Sequence, residues 1–363
     1  MAKLTVKTAA KKTAKTAASK KPASKASASK TPAEKTSAGK TKAKASVKKF
    51  AAASLPKVGP GELVTLLDYV RYATSRFIEA RLAFAHGTTD PVSEAAFIVC
   101  ELLHLHPDQF ESFAMARVTA AEGRRILDVI HRRVATRKPA AYLVNKIYMR
   151  GLPFYVDERT IVPRSFIGEL LDTHFAGDDG EGASLIDDPM EIESVLDLCT
   201  GSGCIAILAS QSFPNAQVDA VDLSPAALAV AMRNVIDYGL DERLTLYKGD
   251  LFEPLGDNTY DLIITNPPYV DSQGMADLPD ECLAEPSMAF DGGDDGLDIV
   301  RKIIDQAGDH LNPHGGLLCE VGRGRANVDA AFPDLPLIWL DTEDSDGEVF
   351  WISAAALQGR SGI

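Results

Sequence analysis

The chain has 363 residues, 45% of them hydrophobic, and a formal net charge of −13. That is enough to bury a core and, at about 150 residues per domain, to build roughly two domains. Fifteen Lys and one acid, Glu34, fall within residues 1–49, which leaves −27 on the remainder. No apolar run approaches the roughly 20 residues that cross a bilayer. The first residues lack the apolar core of a secretory signal and the Arg of a mitochondrial presequence, so a cytoplasmic location with no membrane partner is expected. The five cysteines are odd in number and form no C-x-x-C pair, and the close pair His104 and His106 is spaced i, i+2. Neither a disulfide framework nor a metal site is predicted.

Residues 1–55 are Lys, Ala, Ser and Thr with almost nothing to bury, and a disordered tail is expected. Such a polycation favours non-specific contact with RNA through counterion release, and it has no aromatic before Phe50 to stack a base. Residues 56–146 carry a helical pattern and are expected to form a small domain of four or five helices. Leu63, Leu66, Leu67, Val70 and Phe77 recur at helical spacing, as do Ala96, Val99, Cys100 and Leu103, and later Ile126, Val129, Ile130 and Val134. Pro91 and Ser93 mark one helix start, and Pro107 an interruption. Residues 147–165 form a linker predicted as a β-hairpin, two strands around a polar turn at Asp157-Glu158. The acidic, Gly-rich stretch Gly177–Glu193 is expected to be a solvated loop. From Ser194 onward strands and helices alternate within a domain spanning 166–363, the pattern of a doubly wound α/β sheet. Its last two strands, PLIWLD and GEVFWIS, are expected to pair antiparallel.

Three features fall at the ends of three successive predicted strands. The turn Asp197–Cys204 joins a strand to a helix, with Gly201 and Gly203 permitting close approach of a ligand to the backbone. Asp222 ends the next strand, 21 residues past Gly201, where a ribose-binding carboxylate is expected. Asp250 ends the third. A nucleoside lying across the carboxyl ends of the sheet accounts for all three together. The fourth strand ends in Asn266-Pro267-Pro268-Tyr269. Consecutive prolines stiffen this loop and remove two N–H donors, so its carbonyls and the Asn266 side chain form an acceptor cradle for a planar NH₂ group. Tyr269 is expected to pack on a flat face.

From Leu63 to Ser353 the chain resembles the protein-(glutamine-N5) methyltransferases, a family of class I enzymes dependent on S-adenosylmethionine. The carrying motifs are FYVDERTIVPRS, DLCTGSGCIA, VDAVDLSPAALAVA, TNPPYVD and EPSMAFDGGDDGLDIVRKI. Within the family the resemblance is to enzymes acting on ribosomal protein L-three. It implies a Rossmann-like seven-stranded sheet, a helical substrate-recognition domain, S-adenosylmethionine as cofactor and L-three as partner. It places Asp197, Cys199, Gly201, Ser202, Gly203 and Asp222 on the methionyl and ribose parts of the cofactor, with Leu223 among the cofactor-binding residues. Asp250 and Leu251 border the adenine, with Leu251 standing where an aromatic occurs in related enzymes. Asn266, Pro267, Pro268 and Tyr269 face the substrate amide, with Asn266 also close to the cofactor and Asn266, Pro267 and Tyr269 as the catalytic set. Three other readings fit parts of the sequence: a release-factor glutamine methyltransferase, an adenine-N6 nucleic-acid methyltransferase and a non-enzymatic ribosome-assembly factor. The −27 body opposes a duplex-binding face, which needs Lys and Arg to neutralise phosphates.

Overall fold

The computed structural model of the protein describes residues 7–8, 58–59, 61–175, 185–186 and 188–359, which belong to one compact unit. Lys7–Thr8 form a two-residue strand, β1; the rest of the lysine-rich segment predicted as a disordered tail lies outside the described residues. Helix α1 (Leu66–Glu79) begins at a capping box, in which the Thr65 hydroxyl accepts from the Asp68 N–H and Asp68 accepts from the Thr65 N–H. Two donors that a bare helix start would orphan are thereby satisfied. Helix α2 (Pro91–Leu102) starts at the expected proline, with Asp90 as N-cap. His104 is left-handed and breaks the chain ahead of Pro107. The short α3 (Phe110–Phe113) follows, then α4 (Ala120–Thr136), capped by Thr119 and Glu122, and α5 (Ala140–Val144). Val70, Phe77, Ile98, Ile126 and Ile130 pack in the common core. Leu67, read as part of the apolar stripe, is exposed; at 100° per residue it falls beside the face that Leu66 and Val70 share. Buried Arg133 ties α4 to α2 through Glu94 (2.7 Å) and donates to the Ala83 carbonyl (3.0 Å).

The hairpin pairs β2 (Ile147–Met149) with β3 (Leu152–Phe154). Its turn is Arg150-Gly151, with φ of 50° and 76°, and not Asp157-Glu158 as the sequence pattern predicts. Positive φ at both central residues gives a two-residue turn whose twist matches its strands. Asp157 instead organises the irregular stretch that follows, accepting from the Tyr155 hydroxyl (2.8 Å) and from Arg159 (2.8 and 2.6 Å).

Helix α6 (Ile167–Thr173) precedes the acidic stretch predicted as a loop, of which residues 176–184 and 187 lie outside the described residues. The alternation then runs β4 (Ser194–Leu198), α7 (Cys204–Ser212), β5 (Gln217–Asp222), α8 (Pro225–Asp237), β6 (Leu244–Lys248) and β7 (Tyr260–Thr265). It continues with α9 (Ser272–Asp277), α10 (Asp298–Ala307), β8 (Leu311–Glu320), α11 (Arg325–Ala331), β9 (Ile338–Thr342), β10 (Ser345–Ser353) and α12 (Ala354–Gln358). The strand order is β1-β6-β5-β4-β7-β8-β10-β9. All neighbours through β8 are parallel, while β10 runs antiparallel to β8 and to β9. The expected seven strands are present, and β1 adds two residue pairs outside β6.

Strand residues alternate between two buried faces. Val195, Val218 and Leu262 join the layer of α7 and α8, whereas Leu196, Val221 and Ile263 join that of α10 and α12. Burial on both faces is why these strands are near-continuous apolar runs. The order reverses at β4, with β5 and β6 to one side and β7 and β8 to the other. A crevice outside the carboxyl ends of the strands follows from that reversal. No described helix is long and apolar enough to cross a membrane.

Candidate active site

A cavity of about 570 Å³ opens at the carboxyl ends of β4 to β7. Its wall contains Cys199, Gly201, Asp222, Leu223, Asp250, Leu251, Asn266, Pro267, Pro268 and Tyr269, so four strand ends bring together most of the residues singled out by sequence. Asp197, Ser202 and Gly203 sit behind that wall. Gly203, with φ of 80°, is the N-cap of α7, and a Cβ there would come within 3.2 Å of Ala231, so the turn packs directly on α8.

Asp197 is fully buried beneath the turn. Its Oδ2 accepts from the Thr200 hydroxyl (2.6 Å) and the Ala206 N–H (3.1 Å), while Oδ1 has no partner among the described residues. Burial pushes its pKa up to about 7 against the pull of those hydrogen bonds. Asp222 accepts from the Gly201 N–H (2.8 Å) and the Ser224 N–H (2.7 Å), fastening the glycine turn to the start of α8; burial raises its pKa too. Cys199 and Leu251 both line the cavity with positive φ, 60° and 49°. Non-glycine residues are rarely held in that region, and strain of this kind concentrates at functional sites.

The Asn-Pro-Pro-Tyr turn leaves β7 beside the Thr265 hydroxyl, which donates to the Leu198 carbonyl (2.9 Å) and ties β7 to β4. Asn266 Nδ2 donates to the Arg164 carbonyl (3.2 Å). No described donor reaches Asn266 Oδ1 or the Pro267 carbonyl. Tyr269 lines the cavity, but its hydroxyl donates to Glu320 Oε1 (3.2 Å), and burial pushes its pKa up. Val270 then pairs with Phe290 and Gly292 through their backbones, which closes the far wall.

Three residues that sequence reasoning missed hold this arrangement. Arg164 grips Glu285 at 3.1 and 3.3 Å. Glu320, at the end of β8, accepts from the Ser165 hydroxyl (2.6 Å) and the Phe166 N–H (3.1 Å). An acid closing an apolar strand marks Asp222, and Glu320 closes its own strand in the same way. Arg164 and Glu285 lie 121 residues apart and carry no such mark. Glu285 also accepts from the Val162 N–H (2.8 Å) and pairs with His86 (3.0 Å). Cys282 lies 3.6 Å from that histidine, so His86, Cys282 and Glu285 have the spacing of a metal-ligand set. The Arg164 guanidinium already neutralises Glu285, and we read the cluster as a hydrogen-bonded anchor. Burial opposes ionisation of Glu285, but His86 and Arg164 outweigh it and hold its pKa below the usual value. Nearby, Glu281 accepts from the Ala83 N–H (3.0 Å) and Arg137 (2.8 Å), which joins the helices to the cavity rim.

A doubly wound sheet with an antiparallel last strand pair, acids at successive strand ends and a proline-stiffened acceptor turn defines a Rossmann-like methyltransferase. The family model described as methyltransferase small domain matches residues 182–327. The ribosomal protein uL3 glutamine methyltransferase of Bradyrhizobium diazoefficiens is 73% identical over 315 residues, covering 87% of this chain and 98% of the relative. That of Burkholderia pseudomallei is 52% identical over 84% of this chain and 99% of the relative. Among solved structures, a methyltransferase from Pyrococcus furiosus aligns with 65% of this chain and 99% of its own, at 17% identity and a TM-score of 0.39. The chain belongs to the ribosomal protein uL3 glutamine methyltransferase family.

Proposed function

We propose that this protein transfers a methyl group from S-adenosylmethionine to the side-chain amide nitrogen (N5) of a glutamine in ribosomal protein uL3. The carrying observation is Asn266: one N–H of its amide is donated to the Arg164 carbonyl, and no described donor reaches its oxygen or the Pro267 carbonyl beside it. Two free acceptors on a rigid turn suit a planar NH₂ group and suit a hydroxyl or carboxylate substrate poorly.

The residues around the cavity fit the cofactor. Carboxylates of Asp222 and Asp250 stand at adjacent strand ends, with the apolar Leu223 and Leu251 beside them. Asp222 would accept from the ribose hydroxyls, and Asp250 with Leu251 would border the adenine. The turn from Asp197 to Gly203 would cradle the methionyl part, Cys199 and Gly201 from the wall and Asp197, Ser202 and Gly203 from behind it. Bound there, S-adenosylmethionine would supply a methyl group already activated on a positively charged sulfur. An amide nitrogen is a poor nucleophile because its lone pair is delocalised into the carbonyl. By accepting both N–H bonds, Asn266 and Pro267 orient the NH₂ and favour pyramidal nitrogen, and positioning of this kind supplies several kcal/mol. The amide proton then leaves to water.

The helices of residues 56–146 would recognise the substrate protein, and the lysine-rich segment would add non-specific contact with ribosomal RNA. A ribosomal-protein substrate would suit a cytoplasmic location. The test is incubation with labelled S-adenosylmethionine and purified uL3, followed by mass mapping. One methylated glutamine in uL3 is expected; methyl transfer to release factor or to naked nucleic acid in its place would refute the reading. Asn266→Ala should lower turnover by about a hundredfold or more. Affinity for S-adenosylhomocysteine should change little.

A further inference from the structure

Asn266 serves as an acceptor only while its amide stays in one of two orientations. A half-turn of the planar group would present NH₂ to the cavity, donor against donor. The Arg164 carbonyl is the one described group that selects between them. What holds that carbonyl still therefore sets the chemistry of the site.

We infer that Glu320, which does not line the cavity, is the positioning residue for Asn266, acting by anchoring the segment Arg164–Phe166 and the far end of the Asn-Pro-Pro-Tyr turn. This rests on the proposed role of Asn266 as acceptor. Glu320 is 1% exposed. Its Oε2 takes the Ser165 hydroxyl at 2.6 Å and the Phe166 N–H at 3.1 Å, so the residues directly after Arg164 are docked onto the end of β8. Its Oε1 takes the Tyr269 hydroxyl at 3.2 Å, three residues beyond Asn266. One carboxylate thus bonds to both segments that meet at the Asn266–Arg164 hydrogen bond. On the other side, the Arg164 guanidinium is held by Glu285 and by its own neighbour's carbonyl at Val162 (3.2 Å). The Tyr269 ring lies over Gly322, two residues past Glu320, where a Cβ would approach the ring to 2.6 Å. That close approach gives the hydroxyl little room to find another partner.

The test compares Glu320→Ala with Glu320→Gln on uL3. Removing the anchor should lower kcat at least about tenfold, while KM for S-adenosylmethionine and affinity for S-adenosylhomocysteine stay within about twofold, because the cofactor wall is untouched. Glutamine keeps an acceptor for Ser165 and Phe166 and offers its NH₂ to the Tyr269 oxygen, so Glu320→Gln should return to within about threefold of the parent kcat. An alanine variant with unchanged kcat would overturn the inference. So would a glutamine variant as poor as alanine, or a parallel loss of kcat and cofactor affinity. Should Glu320→Ala not fold, Ser165→Ala and Tyr269→Phe each remove one bond to the same carboxylate. Each should lower kcat about threefold or more at unchanged melting temperature, and unaltered kcat in both would overturn the inference. Asn266→Ala separates the two ideas. If it is inactive while Glu320→Ala is fully active, the function stands and the anchor fails; if Asn266→Ala is itself active, the functional reading fails first.

Discussion

Asn234 on α8 is 1% exposed and makes three hydrogen bonds that tie separate parts of the chain together. Its Oδ1 accepts from the Tyr155 N–H (2.8 Å), and its Nδ2 donates to the Tyr155 carbonyl (3.0 Å) and the Ser202 carbonyl (2.8 Å). The side chain thus pairs with Tyr155 as a neighbouring strand would, and at the same time holds the glycine turn from behind. Replacing it with alanine orphans one N–H and two carbonyls. At about 1 to 3 kcal/mol for each buried orphan, with partial hydration, Asn234→Ala should cost roughly 3 to 5 kcal/mol. Asn234→Asp is closer in shape yet should cost at least as much. It keeps the acceptor for Tyr155 but sets a buried carboxylate oxygen against two carbonyl oxygens, with no donor between them. Urea denaturation followed by circular dichroism gives the ranking, parent above alanine and alanine no worse than aspartate. Because Ser202 sits in the turn behind the cavity, affinity for S-adenosylhomocysteine should fall in both variants. An aspartate variant as stable as the parent, or an alanine variant losing under about 1 kcal/mol, would refute this account of the three bonds.

Asp222→Ala should weaken S-adenosylhomocysteine binding by about 1 to 3 kcal/mol by calorimetry, the worth of charge-assisted bonds; unchanged affinity would remove Asp222 from the ribose site. Asp197 and Glu320 both have folded pKa values raised to about 7 by burial. Their contribution to stability is therefore complete below about pH 4 and is lost as pH rises toward 7. At about 1.4 kcal/mol per pH unit this amounts to roughly 4 kcal/mol for Asp197. The urea midpoint of Asp197→Asn relative to the parent should rise between pH 5 and 8, and parallel curves would contradict the shift. Deleting residues 1–49 should lower activity on ribosomal particles at low salt and leave activity on free uL3 nearly unchanged. Equal effects on both substrates would make the lysines incidental.

Much of the site was legible because its residues sit at strand ends, where local pattern carries positional meaning. The alternation of apolar strands with helices locates Asp197, Asp222, Asp250 and Asn266 at one edge of the sheet before any coordinates are known. The hairpin was legible as an element but not at its turn. Arg150-Gly151 has positive φ at both positions, and arginine is not a residue that advertises it, whereas Asp157-Glu158 does form a turn, the Thr160 N–H donating to the Asp157 carbonyl (3.1 Å), but no pair of strands flanks it.

By itself, the sequence determined the doubly wound core, the glycine turn and the proline-stiffened acceptor, because period, φ restriction and missing donors are properties of neighbouring residues. Tertiary structure alone decided which way the Asn266 amide points. That choice depends on a carbonyl 102 residues earlier and on carboxylates of Glu285 and Glu320 that reach the same short segment from other parts of the chain. Hydrogen-bond partners so distant along the chain are chosen by packing, and no local pattern records them.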